Sequence, residues 1–392
     1  MFSEKKYKKI VASVDIGSSS VAGSIVMFSK GNKPKIVYTS PRFFIKSKDN
    51  KKGIPEITAL TEKVMVNLYE EANQRFKKSF FSLDKQVIDE VFCFLSTPWY
   101  SGQVVCVKGQ NKNPTILSKN MVRTIMDKEV LGVLDQFDPD LSDSIKILEQ
   151  NIVSTKLNGY LTKSIYNKQA KRIEIDIYFS FCKKDLYNSI TKISNSVFGQ
   201  NNIFVTQPVM MSSVFSELFS HHSNLVYLGL TSSSTSLVTF CRREISGADS
   251  FENGYGQITE KISERFGFSS AVSESFFRMY TQGVLESENK KIMTDLVNEW
   301  FTLWKNECLV IIKKFSKCSS SSTIFLLTHN NVTGIMSNLL LDSGLYNPSK
   351  QKLLIANLES LSSHVDILKT TTADPFIMLE AFSLSRINYS SL

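Results

Sequence analysis

The stretch Val11-Ala12-Ser13-Val14-Asp15-Ile16-Gly17-Ser18-Ser19-Ser20-Val21 decides the reading of this 392-residue chain, because it returns far downstream in much the same form. Residues 10–14 suit a buried strand, Asp15 to Ser20 a tight polar turn, and 21–28 the returning strand. Downstream, 225–228 is a second apolar strand, Gly229-Leu230-Thr231-Ser232-Ser233-Ser234 a second turn, and 235–241 a second return. Aligning Asp15 with Gly229 gives an offset of 229 − 15 = 214 residues. Small residues in such a turn let successive backbone N–H groups converge, and hydroxyls add donors, which together make an anion nest suited to phosphate. One hairpin of this kind is equally well explained by the local preference of glycine and serine for turns. Two copies at this separation predict two lobes of similar architecture facing one another.

The rest of the chain fits a globular protein of two or three cores, since a single core stops growing at roughly 250–300 residues and the chain is 42% hydrophobic. Its start is basic without the apolar core of a signal peptide, and no run reaches the ~18 apolar residues of a membrane span, so a cytoplasmic location is expected. The net charge of +9 comes from lysines in short groups, at 5–9, 46–52 and 313–317. No aromatic-interleaved basic stripe accompanies them, so they read as a solvated surface rather than a nucleic-acid site, with weak membrane-surface affinity as the alternative. Six cysteines without a Cys-x-x-Cys pair suggest reduced thiols and no zinc site.

The surroundings of the two turns make the pattern specific. The run 11–21 resembles the first phosphate motif of the actin-like ATPases, especially the FtsA and PilM branch. Residues 204–214 resemble the strand and helix that precede the second phosphate motif of that branch. Residues 251–261, with Gly254, Ile258 and Thr259, resemble its glycine-containing turn into a helix. The strand 324–328, leading into Val332-Thr333-Gly334, resembles the strand and loop of the adenosine motif. The resemblance implies an α/β, two-lobed actin-like fold of duplicated ribonuclease H-like architecture, with a small α+β subdomain inserted in the first lobe. The expected divisions are a first lobe at 1–86 and 171–222, an insert at 87–170, a second lobe at 223–374 with an outer portion at 251–308, and a closing helix within 375–392 on the first lobe. Within these, helices are expected at 57–78, 117–126, 186–197, 256–266, 270–282, 291–315 and 375–384. Strands at 91–95, 104–107 and 145–155 are expected in the insert, and 173–181 back in the first lobe.

The resemblance also implies a site for ATP and magnesium formed by Asp15, Gly17, Ser18, Ser19, Ser20, Thr231, Ser232, Ser233, Gly254, Glu274, Thr328 and Asn330, with Asp15 as the metal residue. Several positions depart from the family. Its second aspartate is Gly229 here, its following glycines are Thr231 and Ser232, and its adenosine-loop glycines are His329 and Asn330. Its lysine near Glu274 is Phe277. Phosphoryl transfer needs a metal and positioned charge, so slow or absent hydrolysis is expected, and Gly229→Asp would strengthen magnesium dependence. By analogy with FtsA and PilM, the chain reads as a scaffold linking a cytoplasmic partner to an inner-membrane machine. Its partner would be a tubulin-like division protein or a pilus inner-membrane protein, with self-association a further expectation. The rival reading is a small-molecule kinase or active ATPase of the same superfamily.

Overall fold

The structure is a computed structural model that describes residues 9–45, 53–76, 87–135, 143–162, 164–219, 221–315, 323–341, 343, 345, 351–372 and 374–386. The lysines at 5–8, 46–52 and 316–317, the helix end at 77–78 and the tail 387–392 lie outside the described residues.

Strand β1 (Lys9–Ile16) is buried along nearly its whole length, as a strand covered on both faces must be. It pairs antiparallel with β2 (Ser20–Phe28), which pairs with β3 (Lys35–Thr39) and the short β4 (Phe43–Phe44). On its other side β1 runs parallel to β5 (Glu90–Leu95), which runs parallel to β10 (Asn202–Thr206). The sheet is completed beyond β3 by β16 (Asp366–Ile367). The second sheet repeats the design with the order β13 (Glu244–Phe251), β12 (Thr235–Cys241), β11 (Leu225–Leu230), β14 (Thr323–Thr328), β15 (Leu353–Ile355). Strand β11 is antiparallel to β12 and parallel to β14, as β1 is to β2 and β5. The 214-residue offset survives in the register: Ile16 and Leu230 end equivalent strands, and Asp15 and Gly229 precede them.

Helix α1 (Gly53–Phe76) buries Ile57, Thr61, Val64, Met65, Leu68 and Ala72, an i, i+4, i+7 stripe, against the outer face of the first sheet. A helix α3 (Lys184–Phe198) shares that layer through Leu186, Ile190 and Phe198. Three helices, α5 (Gly256–Phe266), α7 (Ser287–Lys314) and α8 (Asn330–Leu341), cover the outer face of the second sheet around Trp300 and Trp304. Helix α6 (Ser270–Thr281) packs beside α5, and a short α9 (Leu358–Ser362) precedes β16. Between the inner faces lie α4 (Gln207–Leu218) and α10 (Pro375–Leu384), whose apolar side chains join both sheets in one core. Every residue of α10 is buried, and it touches β14 as well as β1, so it closes both lobes rather than the first alone.

The insert is a sheet in the order β6 (Ser101–Ile116), β9 (Gln169–Lys183), β7 (Ile145–Leu157), β8 (Tyr160–Leu161), covered by α2 (Lys119–Leu134). Two expectations are corrected. The strand at 91–95 belongs to the main sheet, because Val91 to Leu95 is apolar on both faces and suits a central parallel strand. The strand at 173–181 belongs to the insert, because Ile173, Ile175, Ile177 and Phe179 alternate toward α2. Cys93, Cys106, Cys182 and Cys308 are free, whereas Cys241 is disulfide-bonded, contrary to the expectation of reduced thiols throughout. Among the described residues, no helix is long and apolar enough to cross a membrane.

Candidate functional site

The two serine turns meet. Each is closed internally by the same bond, Gly17 N–H to Ser20 O at 2.8 Å and Thr231 N–H to Ser234 O at 3.0 Å. Across the gap the Ser233 N–H donates to Ser18 Oγ at 3.2 Å. The cis-proline turn after β5 strengthens the junction. The Ser234 hydroxyl donates to the Thr97 carbonyl at 2.7 Å, the Thr97 and Ser236 hydroxyls lie 2.9 Å apart, and Trp99 Nε1 donates to Gly17 O at 2.6 Å.

Of the residues expected at the site, Asp15, Gly17, Ser18, Ser19, Ser20, Thr231 and Ser232 line one small cavity, joined by Arg42, Ser96, Tyr255, His329 and Phe376. The others stand off it. Ser233 is exposed and spends its N–H on Ser18. Gly254 lies behind the second turn, where a Cβ would come within 2.2 Å of Ser232 O. Thr328 is buried at the end of β14 with its hydroxyl unpartnered. Glu274 and Asn330 are exposed on α6 and at the start of α8.

The charged centre was only partly legible in the sequence. Arg42, in the loop between β3 and β4, places Nη2 2.8 Å from Asp15 Oδ2 and 2.5 Å from Asp374 Oδ2, and its Nη1 donates to Ser20 Oγ at 3.2 Å. Asp374 caps α10 through the Ile377 N–H at 3.0 Å, a role that the Asp-Pro pair signals. Nothing around Arg42 announces it. Glu380, the lone charge in an apolar helix, accepts from Ser13 Oγ at 3.1 Å beside Asp15. Burial sets the protonation of this cluster. It raises Asp15 despite the opposing Arg42 charge, whereas Arg42 and the helix cap hold Asp374 below the usual range. His329 is lowered to about 4 by burial and by Arg42, so its imidazole is neutral at pH 7; it rests on Phe376 at 4.9 Å between ring centres.

Glu380 is raised well above 4.5 by burial and by the Asp15 and Asp374 charges. Below the unfolded value it is protonated in both states and contributes no pH dependence. As pH climbs past about 4.5, the unfolded chain ionises first and stability falls toward the folded pKa. Glu380→Gln keeps an acceptor for Ser13 and a donor for Asp15. It is therefore expected to match the natural protein near pH 4 and to exceed it by about 1 kcal/mol or more at pH 8. Urea midpoints across that range test this, and a variant less stable at pH 8 would refute the neutral assignment.

Fitted against ATP with magnesium, the residues in this arrangement do not suit the group. The Asp15 carboxylate is engaged by a guanidinium, the Gly17, Thr231 and Ser233 N–H groups are spent within the protein, and His329 stands where the adenosine loop would be open. The remaining cavity is about 10 Å³, room for about one water molecule.

No family model matches the chain, and no curated protein matches its sequence. Among solved structures it is similar to PilM of a PilM–PilN type IV pilus biogenesis complex, with a TM-score of 0.67 and 13% identity over 96% of this chain and 98% of that one. It is also similar to MreB 5 of Spiroplasma citri bound to AMPPNP, with a TM-score of 0.44 and 7% identity over 96% and 95% of the two chains. A third likeness is to a Bacteroides thetaiotaomicron VPI-5482 protein of actin-like ATPase fold, with a TM-score of 0.42 and 10% identity over 98% and 99%. The chain therefore has the actin-like ATPase fold, in a form similar to that of PilM.

Proposed function

We propose that this protein is an assembly scaffold of the PilM type, binding a protein partner at the cytoplasmic face of an inner-membrane machine and taking nucleotide weakly if at all. The observation that carries the reading is the full-length likeness to PilM, a protein solved in complex with PilN. Pilus assembly is favoured over cell division on that basis. The kinase reading requires a carboxylate free to act in the cleft and room for a nucleoside. Asp15 is engaged by Arg42, and His329 and Tyr255 help line the small cavity left.

The test joins two measurements on the purified protein. Affinity purification from its native cell is expected to retain an inner-membrane pilus protein in stoichiometric amount. Phosphate release with saturating ATP and magnesium is expected to stay far below enzyme turnover. Release on the order of 1 per second, within the ordinary enzyme range, would replace the scaffold with an ATPase or kinase. Stoichiometric retention of a tubulin-like protein would move it to cell division.

A further inference from the structure

We infer that Arg42 is a built-in cation, standing where a divalent metal would otherwise be held between Asp15 and Asp374 and keeping the cleft closed with neither metal nor nucleotide. The inference rests on the scaffold reading of the same cleft. It fails separately, because a scaffold that binds Mg–ATP without turnover would leave that reading intact and overturn this one.

The geometry is that of a small coordination sphere. Two carboxylate oxygens, one from the end of β1 and one from the start of α10, converge on a single guanidinium nitrogen at 2.8 and 2.5 Å. The Ser20 hydroxyl takes the neighbouring nitrogen at 3.2 Å. Converging oxygens of this kind suit a hard cation, and here the charge they meet is covalently part of the chain. Arginine does not deprotonate in proteins, and its planar fork reaches two acceptors at once, so the clamp does not depend on metal supply. Among the described residues, no group of three or more acidic, histidine or cysteine side chains is arranged to hold a metal.

Arg42 is placed by structure rather than by chance. Phe43 beside it packs into the first-lobe core, and Lys63 lies over that ring at 4.0 Å. The segment carrying Asp374 is stitched to β3, with Thr371 Oγ1 donating to Val37 O at 3.1 Å and Thr39 Oγ1 donating to Thr372 O. Asp374 is thereby fixed beside the guanidinium. The direct Ser233 to Ser18 bond completes the device, since it joins the two turns that a phosphate group would otherwise bridge.

The experiment measures thermal midpoints of the full chain in EDTA, millimolar MgCl2, millimolar MnCl2 and Mg–ATP, with manganese binding followed by electron paramagnetic resonance. The natural protein is expected to melt at the same temperature in all four and to bind no manganese tightly. Arg42→Ala leaves two facing carboxylates without a cation, so its midpoint in EDTA should fall by roughly 5 °C or more. Part of that loss should return with magnesium or manganese, alongside one bound manganese per chain. Asp15→Asn added to Arg42→Ala should abolish the recovery. Arg42→Lys keeps the charge, and it should fold and remain indifferent to metal. Stabilisation of the natural protein by magnesium or Mg–ATP overturns the inference, as does an alanine variant as stable as the parent. Recovery of the lysine variant by metal also overturns it. Should the alanine variant fail to fold, the natural protein and the lysine variant still decide.

Discussion

Gly229→Asp is expected to destabilise the protein by at least about 4 kcal/mol rather than to restore a magnesium site, the sum of an overpacked core and an unpaired buried charge. By its sequence resemblance Gly229 stands at the second aspartate position of the actin-like ATPases, and the sequence alone suggested that refilling it would strengthen metal dependence. The packing around Gly229 argues against that. Tyr227, two residues earlier on the same face of β11, lays its ring over Gly229, and a Cβ there would come within 2.5 Å of the Tyr227 hydroxyl. That hydroxyl is buried without a hydrogen-bond partner, and burial with the nearby Asp15 and Glu380 raises its pKa further. A fourth carboxylate would join Asp15, Asp374 and Glu380 around the single Arg42 charge. A loss of this size is a large share of a typical 5–15 kcal/mol stability. Chemical denaturation checks it, with Tyr227→Phe as control. Removing an unpartnered hydroxyl should leave stability unchanged or slightly raised. A folded Gly229→Asp protein within 1 kcal/mol of the parent would show that the tyrosine is not a fixed occupant of the position.

Glu149→Ala should cost about 3 kcal/mol or more, because three donors lose their acceptor inside the protein. Glu149 lies at a register shift in β7 and is only 3% exposed. It accepts from Ser180 Oγ at 2.6 Å on the adjacent β9, from the Thr206 N–H at 3.0 Å, and from Thr206 Oγ1 at 2.5 Å. Thr206 is the residue that caps α4, so one carboxylate ties the insert to the helix joining both lobes. Its position at the start of that helix also suits a negative charge. Tyr178 extends the network, its hydroxyl 3.1 Å from Thr206 Oγ1. Hydrogen exchange in β7 and β9 should speed up selectively in the variant, whereas α7 should keep its protection. An alanine variant with unchanged stability and unchanged exchange would mean that the insert is held by its apolar contacts alone.

The duplicated hairpins, the order of elements and the closing helix were legible in the sequence because each is a local property. Strand and helix periods, serine turns and an apolar run after Asp374-Pro375 depend on neighbours in the chain. The insert was legible as a change of pattern, but its edges were not. Whether β5 and β9 belong to one sheet or another depends on which surfaces cover their two faces, and that is decided by partners distant in sequence. Seven of the expected site residues gather at the cavity, since the turns that carry them are local units. What those turns meet was decided by tertiary structure alone. Arg42 and Asp374 are 332 residues apart, and Ser13 and Glu380 367. No spacing rule links such pairs, because only the closing of α10 between the sheets brings them within hydrogen-bond range. The sequence by itself determined two phosphate-type turns on an actin-like frame; the tertiary structure decided that Arg42, Tyr255 and His329 of the same chain line the small cavity left between them.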